Sequence, residues 1–290
     1  MSAVLQLGLM YANVMASVQP DAAVAVARHA EAAGFDSLWT VEHVVVPAGY
    51  QSRYPYRADG RMPGTEDSPI PDPLIWLAYV AARTERIKLC TGVLILPQRS
   101  PVVTAKAVAT LDVLSGGRMV LGVGVGWLRE EFEAIGVPFD ERSRRAEEAI
   151  AAMRTLWREP EPTFEGTYFR FRDARMWPKP VRGSVPIVVG GHSRAAARRA
   201  GRLGEGFFPV SAQPADLPGL LATMRQAAVE AGRDPDRIEV TVGGRPTPET
   251  VTALSALGVH RLVVSPAGAD VDTVLAGIDA ARAALTAAGG

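Results

Sequence analysis

Short runs rich in Val, Ile and Leu alternate with longer Ala-rich segments of helical period along the whole chain, and the alternation occurs eight times. A run that is apolar at consecutive positions, such as Ile187-Val188-Val189 or Leu262-Val263-Val264, suits a strand buried on both faces, as a parallel sheet under helices requires. The strand runs are residues 5–11, 37–43, 87–95, 119–126, 186–191, 206–211, 238–244 and 261–266. Helix starts are marked by Asp72-Pro73, Ser100-Pro101 and Thr247-Pro248. Each sets a capping side chain ahead of a proline suited to the first helical position. This pattern leaves two α/β architectures, an open doubly wound sheet and a closed (β/α)8 TIM barrel, and eight units favour the barrel. The 290 residues are close to the roughly 250 that one such barrel uses, so a single domain over 1–290 is expected.

Composition narrows the function classes. Lys+Arg and Asp+Glu are equal at 31 each, so no global field draws the chain to nucleic acid or anionic lipid. The first ten residues have no basic region ahead of their apolar positions, and no apolar run is long enough to span a bilayer. A cytoplasmic protein with no membrane or nucleic-acid partner is expected. Cys90 is the single cysteine and lies in an apolar run, which reads as a buried core thiol. His29, His43, His192 and His260 form no paired ligand motif, so no metal site is expected.

Two connections are longer than βα loops usually are. Residues 44–71 follow the second strand and hold Tyr50, Tyr54, Tyr56, Arg53, Arg57 and Arg61 among prolines and glycines, the composition of an ordered lid. Residues 161–182 form the second, and 163–171 alternate as a hairpin would. In a barrel the chemistry sits at the C-terminal ends of the strands. That rule puts His43, Thr91 to Val93, Gly124 to Trp127, Gly190 to Arg194 and Ser265 on the functional face; it puts His260 on the opposite one and leaves His29 inside the first helix.

Three groups on that face carry chemistry. Gly122-Val123-Gly124-Val125-Gly126-Trp127 has glycine at every second position of a strand, which leaves room on one face for a flat ring or for a tightly packed barrel interior. Gly190-Gly191-His192-Ser193-Arg194 runs from a strand into a helix, where free N–H groups form an anion site. Ser193 is placed there to cap or to contact a phosphate, and Arg194 to neutralise one. Glu42-His43 ends the second strand. An imidazole exchanges protons near neutral pH, and strand alternation points its neighbour Glu42 to the other face. No nucleophile elbow, Walker loop or metal cluster accompanies these groups, so redox chemistry would be a cofactor's.

With these motifs the chain resembles the luciferase-like monooxygenase superfamily, and within it the coenzyme F420-dependent oxidoreductases. The likeness rests on residues 30–39 leading to Glu42-His43, on 87–97, on 106–126 with Ser115-Gly116-Gly117-Arg118, and on 186–197 and 201–207. It implies a luciferase-like TIM barrel holding a flavin or deazaflavin ring over the strand ends, against a non-proline cis peptide that would fall at Gly92-Val93. Thr91, Gly92, Val93, Glu42, Gly124, Val125 and Gly126 would then surround the ring, with Gly92 intolerant of a side chain. Gly190, Gly191, His192 and Ser193 would hold the phosphate. His43 matches the family's active-site histidine. Trp127 stands where the sugar-phosphate dehydrogenases of the group have a glutamate, and Pro47 where they have a tryptophan, so Trp127 is expected to pack on ring or substrate. Tyr11, Tyr50, Tyr54 and Tyr56 would face the substrate. The resemblance also implies a homodimer, for which the Ala-rich segments 22–33 and 146–152 are suited to close helix packing.

The function expected first is hydride transfer between bound F420 and a small organic substrate. The alternative is an FMN-dependent monooxygenase supplied with reduced flavin by a partner reductase. A non-catalytic flavin-binding protein on the same barrel is the reading from another class.

Overall fold

The structure, a computed structural model, describes residues 5–210, 215–265 and 268–289. The chain opens with strand β1 (Gln6–Met10), helix α1 (Pro20–Ala32), β2 (Ser37–Thr40), α2 (Pro73–Ala81), β3 (Lys88–Thr91) and β4 (Leu94–Ile95). It continues with α3 (Pro101–Leu114), β5 (Met119–Gly124), α4 (Arg129–Ile135) and α5 (Arg142–Arg158). A hairpin of β6 (Phe164–Glu165) and β7 (Arg170–Phe171) follows, then β8 (Ile187–Gly190), α6 (Arg194–Leu203), β9 (Gly206–Phe208) and α7 (Leu217–Glu230). β10 (Glu239–Gly243), α8 (Pro248–Ala256), β11 (Arg261–Val264) and α9 (Val271–Ala287) complete it.

The parallel strands run β3-β2-β1-β11-β10-β9-β8-β5-β4, and β3 also pairs with β5, which closes the sheet. β3 and β4 are two halves of one stave, so the barrel has eight staves and is a (β/α)8 TIM barrel. The strands stop short of the apolar runs because the last residues of several runs leave the ladder to line the mouth. Ser211 and Pro266, which end two of those runs, lie outside the described residues. Asp72 accepts hydrogen bonds from the Leu74 and Ile75 amides and Thr247 from that of Thr250, whereas Ser100, expected to cap α3, makes no side-chain cap bond.

The core has two parts. A large one lies between strands and helices. A smaller plug of Met10, Trp39, Cys90, Val188, Phe208 and Val263 fills the barrel interior, with the Trp39 and Phe208 rings 5.0 Å apart. Burial pushes the Cys90 thiol up to about 12, so it stays protonated. The alanines suited to a dimer contact are buried inside the chain instead: Ala22, Ala23, Ala27 and Ala30 on α1, and Ala146, Ala149 and Ala152 on α5. Much of the 106–126 motif serves the fold at the barrel's other end, where Arg118 donates to the carbonyls of Ala81, Thr84, Ile87 and Ser115.

The third stave is split by a bulge. Cys90 pairs with Val120 and Leu94 with Val123, so one extra residue is inserted against β5. The Gly92-Val93 peptide there is cis. The glycine pattern of β5 accommodates this bulge. A Cβ on Gly122 would lie 1.8 Å from the Thr91 carbonyl oxygen, and Cβ atoms on Gly124 and Gly190 would each lie 2.5 Å from a methyl of Val93. Of the two readings of these glycines, close packing of the barrel interior holds beside Gly122 and Gly124, where the Thr91 carbonyl and Val93 fill the space. Gly92 differs from expectation, because its Cβ would lie 3.1 Å from Trp39 and 3.4 Å from Met10 and Phe208, so a side chain at position 92 would press into the plug.

Gly124→Ala should destabilise the protein by about 1–3 kcal/mol through overpacking, and adding Val93→Ala should recover part of that loss. Urea unfolding of the two single variants and the double variant measures the coupling; strictly additive effects would contradict the wedge.

Candidate active site

A cavity of about 790 Å3 opens at the C-terminal ends of the strands. His43, just past β2, and Gly190 to Ser193, at the end of β8, both border it. β2 and β8 stand three places apart around the ring, so these groups face each other across the mouth. Val93, Gly92, Gly124, Val125 and Gly126 line the wall between them.

His43 is held by a residue that sequence reasoning missed. Its Nδ1 lies 3.1 Å from Glu131 Oε2, on α4, and that carboxylate is fully buried. The other oxygen, Oε1, accepts from the Val44 amide at 2.6 Å and the Val45 amide at 3.4 Å. The chain just after the histidine and the imidazole itself are thus fixed by one acid. With Glu131 ionised, the Nδ1–H donates to it and Nε2 is left for a ligand. Glu130 beside it accepts from the Gln51 and Ser52 amides of the lid at 2.7 and 3.1 Å. Burial raises the Glu130 pKa, but these bonds and the Ser52 hydroxyl outweigh it and bring it to about 2. The only sequence signal was an acidic first turn in the helix after the glycine strand, which also fits dipole complementation.

Glu42, expected from strand alternation to face away from His43, borders the same cavity, because β2 ends at Thr40, before either residue. It is buried, with Oε1 paired to Arg99 and Oε2 accepting from the Ile95 amide at 2.5 Å. Burial pushes its pKa up, with Arg99 opposing. Arg99 also reaches Asp72, the cap of α2, at 2.8 Å. Glu42 borders the cavity with both oxygens engaged, so it ties β2 to β4 and α2. Thr91 does not line the cavity; its hydroxyl donates to the Gly122 carbonyl.

Part of the lid, including Tyr54, Pro55, Tyr56, Met62 and Ile70, lines the cavity. Asn13 binds Val41 through both its amide groups and also donates to Pro71, pinning the two ends of the lid. Trp127 meets His43 edge-on at 5.7 Å and Tyr54 at 5.2 Å, and Tyr56 meets His192 at 4.8 Å. Tyr11, Tyr54 and Tyr56 line the cavity; Tyr50 does not, for it is buried and its hydroxyl accepts from the Met62 amide.

At the β8 end, Ser193 Oγ accepts from the Ala196 amide and caps α6. Arg194 is exposed and does not line the cavity. The arginines that do are Arg142 and Arg199. Arg199 Nε is 3.1 Å from Glu147, while Arg142 Nε is buried without a partner among the described residues. Burial lowers the Arg142 pKa, with Asp140 opposing. Among the described residues no three His, Cys, Asp or Glu side chains gather as metal ligands, and no helix is long and apolar enough to cross a membrane.

The sequence pattern of the luciferase-like monooxygenases matches residues 6–250. The chain belongs to the luciferase-like monooxygenase family. It is therefore an enzyme of a redox family, and it is similar to several named members. An F420-dependent glucose-6-phosphate dehydrogenase of Kineococcus radiotolerans is 36% identical over 220 residues, 73% of this chain and 60% of that protein. The solved F420-dependent secondary alcohol dehydrogenase with an F420-acetone adduct superposes with a TM-score of 0.80 at 20% identity, covering 98% and 99% of the two chains. Monooxygenase RslO1 of Streptomyces bottropensis superposes at 0.78 and 23% identity, over 99% and 100%.

Glu131→Gln keeps a carbonyl oxygen for the Val44 amide but removes the charge behind His43. It should preserve most of the thermal stability while lowering turnover on the order of 10²-fold. Glu131→Ala, which also strands a buried amide, should cost about 1–3 kcal/mol besides. Equal melting temperatures and full turnover in both variants would remove Glu131 from this role.

Proposed function

We propose that the protein is an oxidoreductase using bound coenzyme F420 for hydride transfer to or from a small organic substrate. One observation carries this reading: a single cavity holds a histidine backed by a buried carboxylate on one side and an anion-binding helix start on the other. The kinship with an F420-dependent relative at 36% identity favours the deazaflavin over FMN.

The residues present fit such a cofactor. Gly92, Val93, Gly124, Val125 and Gly126 would hold its ring, and Gly190, Gly191, His192 and Ser193 its phosphate. Arg142 joins them, because its unpartnered buried Nε is a donor that a phosphate oxygen would satisfy. Bound there, the deazaflavin supplies the hydride chemistry. The chain's own work is proton exchange at His43 Nε2, orientation by Glu131, exclusion of water by the lid, and packing by Trp127 against ring or substrate. The homodimer implied by the resemblance would use exposed apolar side chains on α2 and α3, such as Ile75, Tyr79, Val103 and Leu114, since the alanines of α1 and α5 lie inside the chain.

Fluorescence titration with F420 and FMN, followed by oxygen-uptake measurement, tests the reading. F420 should bind more tightly, and reduced F420 should be consumed without oxygen. FMN binding with oxygen uptake would instead support a monooxygenase served by a reductase. His43→Ala should lower turnover about 10² to 10⁴-fold while cofactor affinity holds. Ser193→Asp should weaken cofactor binding by charge repulsion at the α6 terminus; unchanged affinity at low salt would move the phosphate elsewhere.

A further inference from the structure

A continuous chain of aromatic rings runs along the cavity from the Gly190 to Ser193 turn to His43. The His192 ring lies 4.8 Å from that of Tyr56, Tyr56 lies 5.2 Å from Tyr54, Tyr54 lies 5.2 Å from Trp127, and Trp127 lies 5.7 Å from His43. All five border the cavity. His192 belongs to the turn that opens α6 and Trp127 to the loop ahead of α4, whereas Tyr54 and Tyr56 belong to the lid.

The lid divides into a root and a tip. The root is bonded to α4: the Val44 and Val45 amides donate to Glu131, those of Gln51 and Ser52 donate to Glu130, and the Arg129 amide donates to the Ser52 hydroxyl at 3.1 Å. The tip, residues 53–60, is a loop whose backbone hydrogen bonds stay inside the lid among the described residues. The Tyr54 amide donates to the Gly60 carbonyl at 2.8 Å, and the Gly60 amide to that of Arg57 at 3.1 Å. Its rings reach the barrel, Tyr56 at His192 and Tyr54 at Trp127. Such ring contacts are individually weak, so a loop seated by them opens far more readily than the strands beneath it.

His192 stands between two fixed points. The Gly191 amide donates to the Phe208 carbonyl at 3.0 Å, and the Ser193 hydroxyl accepts from the Ala196 amide at 3.2 Å. A phosphate seated at the start of α6 lies against this turn and restrains the His192 side chain. Resting on the F420 reading above, we propose that His192 and Tyr56 form a latch through which the cofactor phosphate holds the lid tip against the cavity. Both are positioning residues. The turn is ordered by the anion, the ordered turn offers Tyr56 a fixed ring, and the Tyr56-Tyr54-Trp127 chain carries the tip's position to the wall beside His43. The coupling is reciprocal, so the factor by which the cofactor favours the seated tip is also the factor by which the seated tip favours the cofactor. The contact is between rings, and the Tyr56 hydroxyl is dispensable to it.

Limited trypsin digestion of the full chain, read by mass spectrometry, tests the latch through cleavage after Arg57, which is exposed on the tip. Cleavage after Arg172, exposed just past β7, is the internal control. Fluorescence titration sets equal occupancy for F420, FMN and riboflavin, the last a flavin ring without a phosphate. Bound F420 should slow cleavage after Arg57 about tenfold and leave Arg172 unchanged, while riboflavin should slow it less than about twofold. Tyr56→Ala should remove the protection and weaken F420 binding by about the same tenfold, and Tyr56→Phe should keep both. His192→Ala should also remove the protection. The latch is overturned if F420 or FMN binds without protecting Arg57, if riboflavin at equal occupancy protects as well, if Tyr56→Ala keeps the protection, or if Tyr56→Phe loses it. FMN that binds and protects a protein indifferent to F420 would sink the deazaflavin reading and leave the latch standing; absence of binding by both would overturn the two together.

Discussion

The mouth of this barrel is built over the one extra residue that the third stave carries against β5. That insertion turns the Thr91 carbonyl into the space beside Gly122 and drives Val93 between Gly124 and Gly190, positions where any Cβ would collide. Below this level Trp39 and Phe208 close the interior; above it the cavity begins. Interiors pack densely, so the wedge leaves little freedom to the strand ends around it. Glu42 takes its backbone donor from Ile95, just past the bulge, and its cation from Arg99, so the end of β2 is registered on the same feature. His43 is the next residue.

Helix α4 connects that register to the lid. Glu130 accepts two lid amides, and Glu131 accepts the two amides that follow His43 as well as contacting the imidazole. In a buried setting such bonds are strong and an unmade one is expensive. The orientation of the histidine and the position of the lid root therefore depend on the same short helix. Asn13 performs the matching task on the far side by joining Val41 to Pro71. The cavity consequently has a charged, hydrogen-bonding end at α5 and α6 and an apolar, phenolic end under the lid.

Much of this was legible beforehand. The eight apolar runs, the hairpin and the long connection after β2 all read correctly from period and composition, because each depends on local chemistry. The cis peptide came from resemblance to a family and not from the residues' own pattern. The glycines of β5 were read as room for a ring or as a tightly packed interior because missing side chains reveal a close approach but not its partner, and the partners are the Thr91 carbonyl at Gly122 and Val93 at Gly124, some 30 positions earlier in sequence. Thr91 and Tyr50 have suitable chemistry at plausible places, yet the Gly122 carbonyl and the Met62 amide occupy their hydroxyls. Arg194 sits at the right turn and faces solvent, while Arg142, from a different helix, borders the cavity.

The sequence by itself determined the alternating βα pattern, and it singled out His43 and the Gly190 to Ser193 turn, which the structure brings to one cavity at the strand ends. These follow from periodicity and from strand and helix ends, which are properties of neighbouring residues. The tertiary structure alone decided that Glu131 stands behind His43 from 88 positions away, that Arg99 pairs with Glu42 from 57 away, and that the lid's arginines lie outside the cavity while Tyr54 and Tyr56 line it. Those pairings are selected by the cost of burying a charge without a partner, and which charges are buried is known only once the barrel has closed.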